Sequence, residues 1–243
     1  MALEGSKVVI VGGSSGIGLG AAEAIVERGA DVILVGRSVD KLHCAARVLD
    51  APHHVSTISA DVTVEADVQR MFSQVGSFDH LVVTRRTPPP GGVPIELTEL
   101  PTVRAFIDVM LVSAFSLAKH ARGKMRPGGS ITFTSGISKD RPSIPGGAVV
   151  AAVAGSFGYM ARALALELAP TRVNVISPGW VDTPMWDEIV GNAKQEIWGL
   201  MAPRLPARRI GTVADIARAY VFLLESEFTT GTVLEVDGGH ALI

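Results

Sequence analysis

Residues 8–18 read Val-Val-Ile-Val-Gly-Gly-Ser-Ser-Gly-Ile-Gly, and this stretch decides the fold. The four apolar residues predict a buried strand, and an amphipathic pattern over residues 18–28 predicts the helix that follows. Glycines at such a junction permit a tight turn and let a ligand approach the backbone amides at the helix N-terminus. A strand, a glycine turn and a helix at the start of the chain predict a site for the pyrophosphate of a dinucleotide. Its predicted residues are Gly12, Ser14, Ser15, Gly16, Ile17 and Gly18.

The rest of the chain repeats this alternation of strands and helices. Apolar runs predict strands at 8–11, 32–35, 55–59, 80–84, 130–134, 172–176 and 232–236. Amphipathic stretches predict helices at 18–28, 64–75, 102–125, 149–168 and 213–224. Strands flanked by helices in this order imply a parallel sheet covered on both faces. The sequence therefore predicts a single α/β domain over residues 1–243, a doubly wound Rossmann-type fold with a seven-stranded parallel sheet.

The end of the second strand indicates which dinucleotide binds. A fold that prefers NAD places an acidic side chain there, which accepts a hydrogen bond from the ribose 2′-hydroxyl. Here the position is Gly36, and Arg37 follows, which is suited to pairing with a 2′-phosphate. The alternative is a solvated surface arginine. The residues favour NADP(H).

Over essentially its whole length the chain resembles the short-chain dehydrogenase/reductase family. The resemblance rests on Gly12-xxx-Gly16-x-Gly18, Asp61-Val62, Pro178-Gly179-xxx-Thr183 and the closing residues 230–239. It implies that Asp61, with Val62, binds the adenine. It also implies that the region of Thr183 holds the nicotinamide carboxamide, with Pro178, Gly179 and Val181. One departure is Val11, where the family usually has threonine.

Other positions depart further from the family pattern. The family's Asn-Asn-Ala-Gly reads Val83-Thr84-Arg85-Arg86 here, and its helix asparagine reads Met110. Thr84 and Arg85 are nevertheless predicted at the cofactor, because they follow a central strand. There, one of the two arginines would grip phosphate; the alternative is an exposed pair with no ligand.

The resemblance also implies a Tyr-xxx-Lys pair, in which the tyrosine protonates the substrate oxygen and the lysine lowers the pKa of that tyrosine. Alignment on residues 162–167 places this pair at Val150 and Ala154, which can do neither task. Tyr159 lies on roughly the opposite helix face from Val150 and is expected to pack.

Two residues remain as candidate catalytic groups. The family serine aligns with Gly136, with Ser135 directly before it and Ser138 just after. Ser135 either points into the cleft or merely satisfies backbone groups at the strand end. Asp140, between Lys139 and Arg141, is a candidate general acid or base, the alternative being a solvated loop.

Composition limits the partners. The net charge is −2, so no basic surface is available for nucleic acid. The single cysteine, Cys44, excludes an internal disulfide and fits a cytoplasmic protein. The uncharged segment 142–161 holds prolines and glycines and is interpreted as a loop and an internal helix, not a membrane span. No metal site is predicted.

Segment 180–209 is a candidate substrate lid and contains all three tryptophans. The alternative is that these tryptophans bury a subunit contact. In the resembling family, the helices equivalent to 102–125 and 149–168 pair across a dimer, so we expect a homo-oligomer, a dimer or a tetramer.

These features predict an NADP(H)-dependent oxidoreductase with a changed proton donor, acting on a small, apolar carbonyl, alcohol or imine. Two alternatives stay open. One is a non-redox isomerase or cyclase on the same scaffold, and the other is an inactive NADP(H)-sensing binding protein.

Overall fold

The computed structural model describes residues 3–84 and 92–243. A seven-stranded parallel sheet with the order β3-β2-β1-β4-β5-β6-β7 forms its centre. The strands are β1 Lys7–Val11, β2 Asp31–Gly36, β3 Val55–Ser59, β4 Phe78–Val83, β5 Met125–Thr134, β6 Arg172–Pro178 and β7 Val233–Val236. The helices are α1 Gly16–Val26, α2 Val39–Leu49, α3 Glu65–Val75, α4 Leu100–Ile107, α5 Ser113–Ala121, α6 Ala148–Glu167, α7 Pro184–Val190, α8 Lys194–Met201 and α9 Val213–Glu225.

Each face of the sheet is covered by its own layer of helices. On one face α3, α5 and α6 pack through residues such as Phe72, Leu117 and Phe157. On the other face α1 and α9 pack through residues such as Ile25 and Tyr220. The predicted doubly wound α/β domain is confirmed. The strand order reverses between β1 and β4, which is where ligands bind in such sheets, beyond the carboxyl ends of the strands.

Several elements differ from their sequence prediction. Helix α2 was not predicted, because only Leu42 and Ala45 of it are buried and its apolar pattern is correspondingly sparse. The predicted helix 102–125 is interrupted by a π-helical turn at Asp108–Val112, which contains Met110. Segment 180–209, expected to be a loop, contains α7 and α8.

Two helical stretches carry a large exposed apolar surface. Leu100–Ala121 and Ala148–Glu167 are long and apolar enough to cross a membrane by length and composition alone, and 22% of an 18-residue apolar stretch within each is buried. Both stretches also pack on the sheet, α5 through Leu117 and α6 through Phe157 and Ala161. The helix expected to be internal is therefore buried along one face only.

Candidate cofactor and substrate site

The glycine turn between β1 and α1 has a backbone that a ligand can approach closely. A Cβ on Gly18 would lie 2.2 Å from the carbonyl oxygen of Gly12 and 2.5 Å from Oγ1 of Thr84, so no side chain fits there. Gly16 has φ +53°, a left-handed conformation that favours glycine. Thr84 braces the turn, since both its backbone N–H and its hydroxyl donate to the carbonyl of Val11, at 2.9 and 3.0 Å.

The start of α1 is suited to an anion. Ser15 precedes the helix, and its side chain makes no capping hydrogen bond. The first helical turn, which includes Ile17, carries no acidic residue. Because amide N–H groups at a helix N-terminus lack intrahelical partners, they attract negative charge. The turn can therefore hold a pyrophosphate group.

The carboxyl end of β2 brings together the residues predicted to select the cofactor. A Cβ on Gly36 would lie 3.8 Å from Oγ of Ser14, so the glycine turn and the strand end are neighbours. Arg37 is exposed, and its guanidinium makes no hydrogen bond or ion pair with the residues in 3–84 and 92–243. Its carbonyl oxygen accepts from the hydroxyl of Ser59, which fixes its backbone next to β3.

The predicted adenine-binding residues lie just beyond β3. The carboxylate of Asp61 accepts from the backbone N–H and the hydroxyl of Thr63, at 3.0 and 2.7 Å. Val62 is buried. These contacts orient the Asp61 side chain at the same edge of the sheet as Arg37.

The segment after β6 forms the opposite wall. Gly179 packs so closely on the final strand that a Cβ there would lie 2.6 Å from Cα of Asp237. Val181 pairs with Gly211 in a short bridge. Thr183 is buried, and its Oγ1 has no hydrogen-bond partner among the described residues. Because Cβ of Thr183 lies 3.7 Å from a Cβ built on Gly16, the two motifs of the resemblance face each other.

The two candidate catalytic groups are already engaged. Ser135 donates its hydroxyl to the carbonyl of Ala154 at 2.7 Å. Asp140 forms an ion pair with Lys139, and Lys139 also binds Glu235 at 2.7 Å. The Ser135 hydroxyl thus binds a backbone carbonyl of α6, not a backbone group at the strand end. The catalytic roles of Ser135 and Asp140 stay predictions.

Helix α6 carries apolar residues at the two positions that align with the family's Tyr-xxx-Lys pair. Val150 is half-buried and packs against the core of the sheet. Ala154 lines a cavity of about 260 Å³ together with Ser135, Lys139 and Tyr159. The expectation that Tyr159 packs is wrong: it is 75% exposed, and the Arg162 guanidinium lies 5.8 Å from its ring centre. Its position on the outer flank of α6, not its hydrophobicity, decides this exposure.

An aromatic cluster that the sequence analysis did not predict lies at this end of the sheet. We call Trp180, Trp186, Trp198 and His240 the aromatic cluster. Trp180 and Trp186 stack with ring centres 4.8 Å apart, and Trp198 meets both edge-on at 5.7 and 5.1 Å. His240 lies 6.2 Å from Trp180. The closeness of the tryptophans along the chain was a signal, but the contact with His240 joins distant segments.

One predicted cofactor residue, Arg85, lies outside the described residues, as does its neighbour Arg86.

Comparison with known proteins identifies the family. Residues 11–241 match the family model described as enoyl-(acyl carrier protein) reductase. The chain is 31% identical to the short-chain dehydrogenase/reductase malC of Malbranchea aurantiaca, over 99% of this chain and 96% of that protein. The chain belongs to the short-chain dehydrogenase/reductase family. The resemblance seen in the sequence is thereby confirmed, and the similarity is to a family of oxidoreductases.

Solved structures of the short-chain dehydrogenase/reductase family agree with this fold. The MalC reductase/Diels-Alderase from Malbranchea aurantiaca superposes with a TM-score of 0.93 at 28% identity, covering 100% of this chain and 98% of that one. The L-sorbose reductase from Gluconobacter frateurii, complexed with NADPH and L-sorbose, superposes with a TM-score of 0.87 at 27% identity, with both chains fully covered at 100%.

Proposed function

We propose that this protein is an NADP(H)-dependent oxidoreductase that acts on a small, apolar carbonyl, alcohol or imine. The observation that carries the proposal is the end of β2. There the strand ends in Gly36 and Arg37 and not in an acidic residue, Gly36 leaves room beside Ser14, and the Arg37 guanidinium is unpaired among the described residues. A similar structure, the L-sorbose reductase, contains NADPH.

The residues of the cleft fit this cofactor. The glycine turn would hold the pyrophosphate, Arg37 the 2′-phosphate and Asp61 the adenine. The unpartnered hydroxyl of Thr183 would bind the carboxamide, since a buried hydroxyl without a partner is costly. When bound, the cofactor supplies or accepts the hydride. Arg85 remains a proposed phosphate contact.

In this proposal the group that protonates the substrate is not the tyrosine of the family pattern. Ser135 would have to give up its bond to Ala154 before it donates to a substrate, and Asp140 would have to leave Lys139. Substrates that need no proton on oxygen, such as iminium ions, would tolerate this arrangement. For such substrates, positioning alone supplies much of the rate.

Calorimetric titration with NADPH and NADH tests the cofactor. NADPH is expected to bind more tightly, and Arg37→Ala to weaken NADPH binding by about 1–3 kcal/mol, as loss of a charge-assisted contact should. NADH binding should not change. Arg47→Ala is the matched control, because Arg47 is an exposed arginine on α2. Equal losses for both cofactors, or none for NADPH, would contradict the proposal.

Turnover is tested separately by NADPH absorbance across a panel of carbonyls and imines. Consumption above the rate without enzyme is expected for an apolar member of the panel. If NADPH binds and is never consumed, the redox part of the proposal fails, and an NADP(H)-sensing role becomes the better explanation.

A non-redox cyclase is the second candidate. Val150 and Ala154 are apolar at the positions of the family's Tyr-xxx-Lys pair, and the chain is similar in structure to a reductase/Diels-Alderase. This candidate predicts that a substrate is converted while NADPH absorbance stays constant. Stoichiometric loss of NADPH with product would exclude it.

A further inference from the structure

The aromatic cluster contains two polar nitrogens that nothing in the described structure satisfies. Trp198 is 8% exposed, and its indole Nε1 has no hydrogen-bond partner among the residues in 3–84 and 92–243. Nδ1 of His240 is buried and likewise unpartnered within the same ranges. Leaving buried polar groups unpaired costs free energy, so such atoms in a native structure call for an explanation.

His240 is held in place from two sides. Its backbone carbonyl accepts from Nε of Arg141 at 3.3 Å, and the carbonyl of Ala241 accepts from the same guanidinium at 3.0 Å. The carboxylate of Asp237 accepts from the N–H groups of Gly239 and Ala241, at 2.8 and 2.7 Å. The backbone that carries His240 is thus fixed, its ring lies 6.2 Å from that of Trp180, and its Nδ1 is left without a bond.

The cluster also adjoins the proposed cofactor cleft. Trp180 follows Gly179 at the end of β6, and the backbone N–H of Trp186 donates to the carbonyl of Thr183 at 3.1 Å. Burial lowers the pKa of His240, with Arg141 and Arg204 acting in the same direction against Asp237, so the ring is neutral at neutral pH. A neutral ring can hydrogen-bond a ligand without bringing an unpaired charge into an apolar site.

We infer that the aromatic cluster is a ligand-binding surface for an aromatic ring compound carrying a hydrogen-bond acceptor oxygen. The ring packs on the faces of the tryptophans, which offer a large apolar area. The oxygen accepts from Nε1 of Trp198, which can only donate, and from Nδ1 of His240 in the tautomer that carries its proton there. Both nitrogens are covered in this structure, so binding requires the aromatic cluster to open.

This inference rests on the proposed function and narrows its substrate class. Hydrogen bonds from Trp198 and His240 then make the site prefer a ring compound that carries an acceptor oxygen over the same ring without that oxygen. A site built to hydrogen-bond an oxygen rejects the analogue lacking it, because its own polar groups are then left unpaired.

A matched pair of probes, 1-indanone and indane, tests the inference by calorimetry on the full chain. The two share a ring system and differ in the carbonyl oxygen. We expect 1-indanone to bind at least about tenfold more tightly. Near-ultraviolet circular dichroism should change with 1-indanone, and the change reports this cluster because it holds all three tryptophans.

Trp198→Phe and His240→Phe keep an aromatic ring and remove the nitrogen. Each is expected to lower the indanone-to-indane affinity ratio by about fivefold or more. His240→Gln, which returns an amide donor, should recover part of that ratio and serves if the phenylalanine variant does not fold. His43→Phe is the control, since His43 is exposed on α2.

Equal affinities for the two probes, no binding of 1-indanone, or an unchanged ratio in both folded variants would overturn the inference. NADPH binding is measured on the same unmodified protein. Selective 1-indanone binding without NADPH binding would overturn the proposed function instead, so the two failures are distinguishable.

Discussion

At the scale of single residues, Thr183 separates stability from binding most clearly. Its buried hydroxyl has no hydrogen-bond partner among the described residues, which lowers the stability of the folded protein. A bound cofactor should supply the missing hydrogen bond. Thr183→Val is therefore expected to leave the free energy of unfolding unchanged or raise it by about 1 kcal/mol. The same variant should bind NADPH about 2–10 times more weakly, through one lost hydrogen bond.

Chemical denaturation and calorimetry on the same preparation check the Thr183 prediction. Thr212→Val is the contrasting control, because the Thr212 hydroxyl accepts from the N–H of Asp215 and caps α9. It should lose about 1 kcal/mol of stability and keep its NADPH affinity. A destabilised Thr183→Val protein with normal NADPH binding would show that the hydroxyl serves the fold.

At Gly18, by contrast, stability and NADPH binding should fall together. A Cβ there meets the Gly12 carbonyl at 2.2 Å, so Gly18→Ala must displace the turn. We expect it to lower stability by about 1–3 kcal/mol and NADPH affinity with it. Gly123→Ala, where a Cβ meets nothing within 4 Å, should change neither. Normal NADPH affinity in Gly18→Ala would place the cofactor elsewhere.

Local sequence predicted the glycine turn and the position of Arg37 at the end of β2, because both depend on backbone geometry within a few residues. It did not predict the bonds from Arg141 to the carbonyls of His240 and Ala241, which join positions about 100 residues apart. It also did not predict the bond from Ser135 to the carbonyl of Ala154 on α6, since the alternative considered was a backbone group at the strand end. Side-chain direction at a strand end depends on what packs opposite, and periodicity does not contain that information.

At the scale of elements, β4 and β5 share a buried polar pair. His80 Nδ1 lies 2.9 Å from Oγ of Ser130, and burial lowers the pKa of His80 to about 4, with the nearby Arg172 charge adding to the effect. An unfolded histidine titrates near pH 6.5. The unfolded chain therefore binds the proton first, and stability must fall as the pH drops from about 6.5 towards 4.

This single group should account for roughly 3 kcal/mol of the acid-dependent loss of stability. Urea unfolding at several pH values between about 7.5 and 4.5 measures the loss. His80→Gln is expected to flatten the pH dependence whatever its effect at neutral pH. His43→Gln, on an exposed position, should keep the original slope. Identical slopes in His80→Gln and the unmodified protein would contradict the prediction.

All seven strands were predicted, including β3, in which no residue is buried, whereas several short helices were missed. The fully buried strand β6 was recognised to within two residues. Helix α2 was missed because one buried stripe of Leu42 and Ala45 is too sparse to give a helical period. The same limit hid α7, in which no residue is buried.

At the scale of the whole molecule, the exposed apolar helices require a partner surface. Val112 and Phe115 are 52% and 55% exposed, and Tyr159 and Leu166 on α6 are 75% and 82% exposed. Exposed apolar surface of this kind is typical of subunit interfaces. We propose that these helices meet a second copy of the chain, as the family resemblance also implies.

Sedimentation of the unmodified chain should then give a dimer or a tetramer of the 25.5 kDa protomer. Phe115→Asp would bury a charge in the interface, and a buried unpaired charge is costly, so it should shift the protein towards the protomer. Phe228→Asp is the control, since Phe228 is fully exposed and lies after α9, outside these helices. A protomer in both the unmodified chain and Phe115→Asp would rule out the interface and would leave the apolar faces of α5 and α6 to another partner.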